Sequence, residues 1–297
     1  MKLTYFRHDP PNFGDEINTR IWPHLLPPGF LDDDESELFL GAGSILWGHL
    51  PKAPMKIVAG SGYGGYSGPP DMHDGSFRVI WVRGPLTATR LGLAPNLAIA
   101  DAAVLLRNTP LPEPAPGIGV AFMPHFESVA RGDWEAACRL AGVTFLDPTA
   151  DTGTILAQIR GARLVISEAM HGAIVADALR TPWIGIRPIH AVHRMKWDDW
   201  SLALDVTLSL ETAFPSNLLE AYTLATGFRG RGRRSTRLLR SSAAAPVNRV
   251  FREIAARRLR RLAERGTPQM SSDAAITQAT ERCMEALHGF VRTRIAA

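Results

Sequence analysis

Cysteine is scarce in this chain: Cys138 and Cys283 are the two among 297 residues, and they lie far apart. That excludes a disulfide framework and leaves no thiolate zinc site. Long apolar runs are missing too. The opening, MKLTYFRHDPPNFGDE, holds no apolar stretch of signal-peptide length. No segment approaches the roughly 18 apolar residues of a membrane-spanning helix. A cytoplasmic protein is therefore expected. HExxH, GxSxG, Walker A and paired Cys/His patterns are absent, as is any internal repeat. Neither a metal nor a bound cofactor is expected. What is plentiful is apolar residues, 45% of the chain, enough for sizeable cores.

Lysine is absent from the last 71 residues and acid is sparse there: 16 arginines face 5 Asp and Glu, a net of +11. The first 226 residues carry 17 Lys and Arg against 24 Asp and Glu, a net of −7. The overall +4 therefore belongs to the tail. Such a block contacts phosphates of nucleic acid or of membrane headgroups. The plainer alternative is a solvated or partly disordered extension. Nucleic acid is disfavoured, because no regular interleaving of aromatics offers base stacking.

Short apolar runs alternate with helical stretches through the first 226 residues. Strands are expected at 3–6, 38–40, 57–59, 79–82 and 97–100. The Pro-rich TPLPEPAPG at 109–117 reads as a linker. Beyond it come a strand at 118–122, a helix at 129–141 and a strand at 143–146. A helix at 154–160, a strand at 164–167, a helix at 174–179 and a strand at 183–186 follow. Strands separated by helices imply parallel βαβ units. The expected fold is α/β: two Rossmann-like domains, 1–112 and 113–226, facing a cleft. Residues 227–297 form an Arg-rich, partly helical, basic C-terminal extension. In it, 227–242 reads as loop, and helices are expected at 247–262 and 276–295. Val250, Ile254, Leu259 and Leu262 stand among arginines in the first of these helices.

Ligands of such folds bind at the carboxyl ends of strands. Asn12-Phe-Gly14-Asp15 follows the first strand, as a well-made turn or as the rim of a sugar site with Asn12 and Asp15. The glycine clusters around Gly43-Ser44 and Gly60-Ser61-Gly62 follow the next two, and such loops offer N–H groups to anions. Gly60-x-Gly62-x-x-Gly65 matches a dinucleotide fingerprint only formally, since no helix opens after it. Arg83 ends the fourth strand beside Gly84, placed to fork onto a carboxylate or phosphate, or to make an ordinary salt bridge. Asp101 ends the fifth, with helix capping as its alternative. The strongest local signal is Ser167-Glu168-Ala-Met170-His171-Gly172, which puts His171 at a strand–helix junction near a carboxylate. Arg187, His190 and Lys196 belong to a cationic cluster just past the following strand; they hold an anion or form a solvated loop.

In this order, Asn12-Phe-Gly-Asp15, Gly41-Ala-Gly-Ser44, Arg83-Gly-Pro85 with Leu91-Gly92, Asp101 and Ser167…His171-Gly172 resemble the polysaccharide pyruvyl transferase family, in its ketal-forming, exopolysaccharide branch. The likeness spans roughly residues 3–200. It implies a fold similar to the two-domain glycosyltransferase B arrangement, with phosphoenolpyruvate as co-substrate and a polyprenyl-diphosphate-linked oligosaccharide as acceptor. It also implies His171 as general acid or as the hydrogen-bond donor that steadies the departing phosphate, Arg83 as donor clamp, and Asp15 or Glu168 at the acceptor hydroxyl. The chain departs from the family's S-x-R-x-H-G pattern: Ala169 stands where arginine is common, so an anion contact must come from elsewhere, such as Arg187 or Lys196. An acceptor of this kind places the enzyme peripherally at the inner membrane, through the tail. Two other readings compete: a nucleotide-sugar glycosyltransferase of the same fold, and a non-catalytic nucleic-acid-binding protein acting through the arginines.

Overall fold

The computed structural model describes residues 1–51, 55–227 and 233–296. Its first half runs β1 (Lys2–Thr4), α1 (Phe13–Glu16), α2 (Asn18–Leu25), β2 (Glu37–Leu40), β3 (Met55–Ala59), β4 (Phe77–Trp81) and α3 (Pro85–Arg90), then a 3₁₀ helix at Ala102–Asn108. The second half runs β5 (Val120–Met123), α4 (Phe126–Arg131), α5 (Trp134–Ala141), β6 (Thr144–Phe145), α6 (Thr152–Gly161), β7 (Leu164–Ser167), α7 (Met170–Ala178), β8 (Trp183–Ile186), α8 (Arg194–Ala203), β9 (Leu210–Glu211) and α9 (Leu218–Thr226). Three helices complete the chain: α10 (Arg233–Leu239), α11 (Ala245–Arg265) and α12 (Asp273–Ile295).

Both sheets are wholly parallel. The first pairs in chain order, β1-β2-β3-β4; the second is ordered β6-β5-β7-β8-β9. A reversal of strand order therefore exists only in the second sheet, between β5 and β7. Chain leaves β5 through α5 on one face and enters β7 from α6 on the other, so a crevice opens between their carboxyl ends. In the first sheet the β2–β3 and β3–β4 connections are long loops, with no helix among their described residues.

Side-chain alternation sorts the cores. Phe39, Ile57, Ala59 and Trp81 face one side of the first sheet, packed with Trp22 of α2 and with the 3₁₀ helix. Leu38, Leu40, Val58 and Val82 face the other, under Ile45, Leu46 and Tyr63 of the loops. β5, β7 and β8 are buried along their whole length, which is why they read as unbroken apolar runs. Ala121, Met123, Val165 and Trp183 join the same core as Trp22 and Trp81, so one apolar mass runs between the sheets.

Four expectations are corrected. Residues 97–100 do not form a strand: Pro95–Leu97 is a 3₁₀ turn, and Ala98 makes a single bridge to Val82. The helix at 129–141 is two helices, parted at Gly132, where Glu220, Trp134 and Ser216 crowd too closely for a side chain. Of the stretch 227–242, residues 228–232 lie outside those described, and Arg233–Leu239 is helical.

Finally, the tail helices do not stand apart from the sheets. Ala255, Ala256, Leu259 and Leu262 of α11 seal the second sheet beside α5, against Ile184 and Ile186. Ile276, Cys283, Leu287 and Phe290 of α12 return to the first sheet. Leu259 and Leu262 of the apolar stripe are thus taken up in packing while Val250 stays exposed, and Arg249, Arg257, Arg261 and Arg265 lie outward. No helix among the described residues is long and apolar enough to cross a membrane.

Candidate active site

Loops from both sheets, all leaving carboxyl ends of strands, enclose a cavity of about 450 Å³. From the first sheet come Phe6, His8, Asn12 and Asp15 after β1, Ser44, Trp47 and His49 after β2, and Tyr66 after β3. From the second come His125, Phe126 and Glu127 after β5, Met170 and His171 after β7, and His193 and Lys196 after β8. β5 and β7 are the strands at the order reversal, so the cavity lies where a parallel sheet offers a crevice.

His171 occupies the second position of α7, and its Nε2 lies 3.6 Å from Asp101 Oδ2. Asp101 is fully buried; its other carboxylate oxygen accepts from the Ala103 N–H at 3.0 Å and caps the 3₁₀ helix. Burial alone would favour the protonated acid. The His171 ring and the Arg83 charge outweigh it and hold the carboxyl below its ordinary value. The capping reading of Asp101 holds, and its second carboxylate oxygen faces the His171 ring, a pairing the sequence did not suggest. Gly14 lets His171 sit where it does, because a Cβ there would press on the imidazole at Nδ1, well inside contact distance. Across the cavity Asp15 accepts from Asn12 Nδ2 at 2.6 Å and lies 3.6 Å from His8 Nε2. Its burial raises the carboxyl above its ordinary value, despite the bond from Asn12 and the charges of His171, His8 and Lys196. A carboxylate of raised basicity thus shares one cavity with an acid-backed imidazole.

A second cluster lies beside them. Glu127 Oε2 stands 3.5 Å from His193 Nε2, 3.8 Å from His190 Nε2 and 3.4 Å from Arg131 Nη1. Burial opposes its ionisation, but the bond with His193 and the His125, His193 and Arg131 charges hold the carboxyl well below the usual range. Burial, aided by Lys196 and His193, pushes His125 well below an ordinary histidine, so its ring is neutral near pH 7. Sequence reading passed over His8, His125, Phe126 and Glu127, although Met123-Pro-His-Phe-Glu127 follows β5 as the His171 segment follows β7. The same strand-end rule finds them.

Other expected residues do not reach the cavity. Arg83 is fully buried: Nε donates to Asp199 Oδ2 (2.9 Å), Nη1 to Ser44 Oγ (2.8 Å) and Nη2 to the Tyr63 carbonyl (2.9 Å). Its fork holds protein groups behind the site, among them Ser44, which lines the cavity. Glu168 faces α4, accepting from the His125 N–H (2.9 Å) and Ser128 Oγ (3.1 Å) rather than addressing His171 or an acceptor. Gly60 packs on Ala102, Gly62 on the Arg83 guanidinium, and the Ser61 hydroxyl donates to the Gly41 carbonyl. Ser167 donates to the Ala169 carbonyl (2.7 Å), and Gly172 packs on that hydroxyl and on Met123. Gly43, at φ +127°, lets the chain pass Asp15. Arg187 is exposed, and His190 stands behind Glu127. Of the cationic segment, Lys196 and His193 reach the cavity.

A family model described as polysaccharide pyruvyl transferase matches residues 72–190, which take in Asp101, Glu127 and His171. The chain is 34% identical over 315 aligned positions to the succinoglycan biosynthesis protein ExoV of Rhizobium meliloti (strain 1021), covering 98% of this chain and 99% of that protein. No solved structure matches. Full-length identity of this degree, on a chain whose matched segment carries the crevice residues, makes this protein a transferase and a member of the polysaccharide pyruvyl transferase family.

Proposed function

We propose that this enzyme transfers the enolpyruvyl unit of phosphoenolpyruvate to a sugar of a lipid-linked exopolysaccharide repeat, forming a pyruvate ketal and releasing phosphate. The observation that carries the reading is His171, backed by buried Asp101, facing the same cavity as Asp15 in a chain of this family. The reaction protonates C3 of the enol ether, which makes C2 electrophilic. One sugar hydroxyl attacks C2, phosphate leaves, and a second hydroxyl closes the ketal. The chemistry needs an acid, a base and an anion cradle. In this reading His171 protonates C3 or steadies the departing phosphate, with Asp101 fixing its ring. Asp15 takes the proton of the attacking hydroxyl. Lys196 and the N-terminus of α7 hold the donor's anionic groups, taking the place of the arginine that Ala169 replaces. Phe6, Trp47 and Tyr66 offer flat faces to the acceptor.

The same reading regards the two sheets as the halves of a glycosyltransferase B-like pair, with residues 1–112 and 113–226 as its domains. It places the enzyme at the cytoplasmic face of the inner membrane, where the outward arginines of α11 meet anionic headgroups by charge alone. The test is incubation with phosphoenolpyruvate and lipid-linked oligosaccharides. Phosphate release should accompany a mass gain of one pyruvyl unit. Transfer from a nucleotide sugar instead, with no use of phosphoenolpyruvate, would refute the proposal.

A further inference from the structure

Among the described residues, His125, Glu127 and His193 bring their donor atoms within 4.8 Å of one another. They come from two strand ends: His125 and Glu127 open α4 after β5, and His193 precedes α8 after β8. Glu127 Oε2 is 3.5 Å from His193 Nε2 and 3.9 Å from His125 Nδ1, and the two rings are 4.5 Å apart by centroid. Four-coordinate zinc holds nitrogen and oxygen donors at about 2.0–2.1 Å, which sets neighbouring donors roughly 3.3 Å apart. The two donor pairs that Glu127 makes thus need to contract by only about 0.2–0.6 Å to close on such an ion, and no pair of the three is wider than 4.8 Å.

Outer contacts already aim the donors. The Tyr66 hydroxyl bonds His193 Nδ1 at 2.9 Å, which turns Nε2 of that ring toward Glu127. Arg131 and His190 brace Glu127 from behind. His125 Nδ1 accepts only a long bond, 3.4 Å, from the Glu127 N–H, and an ion would displace it. All three residues line the cavity, so the remaining coordination positions open into it. Two imidazoles and one carboxylate suit a borderline divalent ion with an open site. Arg131 and Lys196 lie close by, and their charge favours an anionic ligand at the open position.

We infer that His125, Glu127 and His193 form a divalent-metal site, of the zinc class, on the wall of the cavity. The inference does not depend on the identity of the donor, because the probe is the metal alone. The full chain is stripped with a chelator, dialysed, and titrated with zinc or cobalt chloride. One ion per chain should bind, with cobalt showing the visible absorption of a low-coordinate N/O site. His125→Ala and His193→Ala should each abolish stoichiometric binding. Tyr66→Phe should weaken it about 10–100-fold, the usual loss for an outer-shell partner. His288→Ala, an exposed histidine on α12, should change nothing. Failure to retain an ion, or an ion retained equally after either alanine change, overturns the site. If the alanine variants fail to fold, the isosteric Glu127→Gln decides it: unchanged affinity overturns the inference and a clear loss supports it.

Discussion

Single atoms govern this site, and Gly14 shows it best. It touches no substrate in the proposed reaction, yet the space its missing Cβ leaves is filled by the His171 ring. Gly14→Ala should therefore displace His171 and reduce turnover toward that of His171→Ala, where loss of the acid is expected to cost roughly 10²–10⁴-fold. Steady-state kinetics with a circular-dichroism check on folding would decide it, and a fully active Gly14→Ala refutes the packing argument. Arg83 illustrates the opposite case. A guanidinium after a strand looks like a ligand clamp in sequence, because nothing local reveals its partner Asp199, 116 positions along the chain. Asp199 also accepts from the Thr87 N–H and hydroxyl, all out of solvent. Arg83→Met should thus cost about 3–5 kcal/mol, the price of a buried charge left without its partner. Urea unfolding measures that loss, and a change confined to the Michaelis constant for phosphoenolpyruvate would restore the clamp. His171 and Asp15 were legible because each follows a strand within a recognisable turn. The Asp101–His171 pairing was not, because it joins positions 70 apart across two sheets.

At the scale of elements, the central strands were legible and their wrapping was not. Leu164-Val-Ile166 and Trp183-Ile-Gly-Ile186 are apolar runs of strand length and read as buried strands. Leu210–Glu211 is too short and too polar to announce β9. The break between α4 and α5 was hidden for a different reason: it exists to admit α9. There Glu220 Oε1 accepts from Trp134 Nε1 (2.7 Å), and Oε2 accepts from the Ser216 N–H (2.8 Å) and hydroxyl (2.7 Å). Burial outweighs those donors and raises the carboxyl to about 7. The sign follows directly. A folded-state value above the ordinary 4.5 means the folded protein holds the proton more tightly. That contribution is complete below about pH 4.5 and is lost as pH rises through about 7, amounting to about 3 kcal/mol. Urea midpoints measured across this window should fall with rising pH in the wild type. They should fall less in Glu220→Gln, and equal slopes in the two proteins would exclude the effect.

Across the whole molecule, charge and packing divide the tail between them. The sequence shows arginines and apolar residues interleaved, but not which neighbour the apolar ones choose. The structure assigns Leu259 and Leu262 to the second sheet and leaves Arg249, Arg257, Arg261 and Arg265 exposed. Deleting the tail would therefore uncover both cores, so a membrane role is better tested by charge. Replacing those four arginines by Gln should leave the fold intact and weaken binding to anionic vesicles, each cation contributing about 1 kcal/mol near the surface. Equal co-sedimentation of variant and wild type at low salt would dismiss the headgroup contact. The path of α12 has one more result. Chain passes between the sheets twice: at 109–119, where the Ala115 N–H and Arg160 tie it to α6, and at 266–272, where Gln269 exchanges both backbone bonds with Trp183. Both ties fasten to the second half of the chain, so the tail closes a circuit: the chain that leaves the first sheet at one crossing comes back to it at the other.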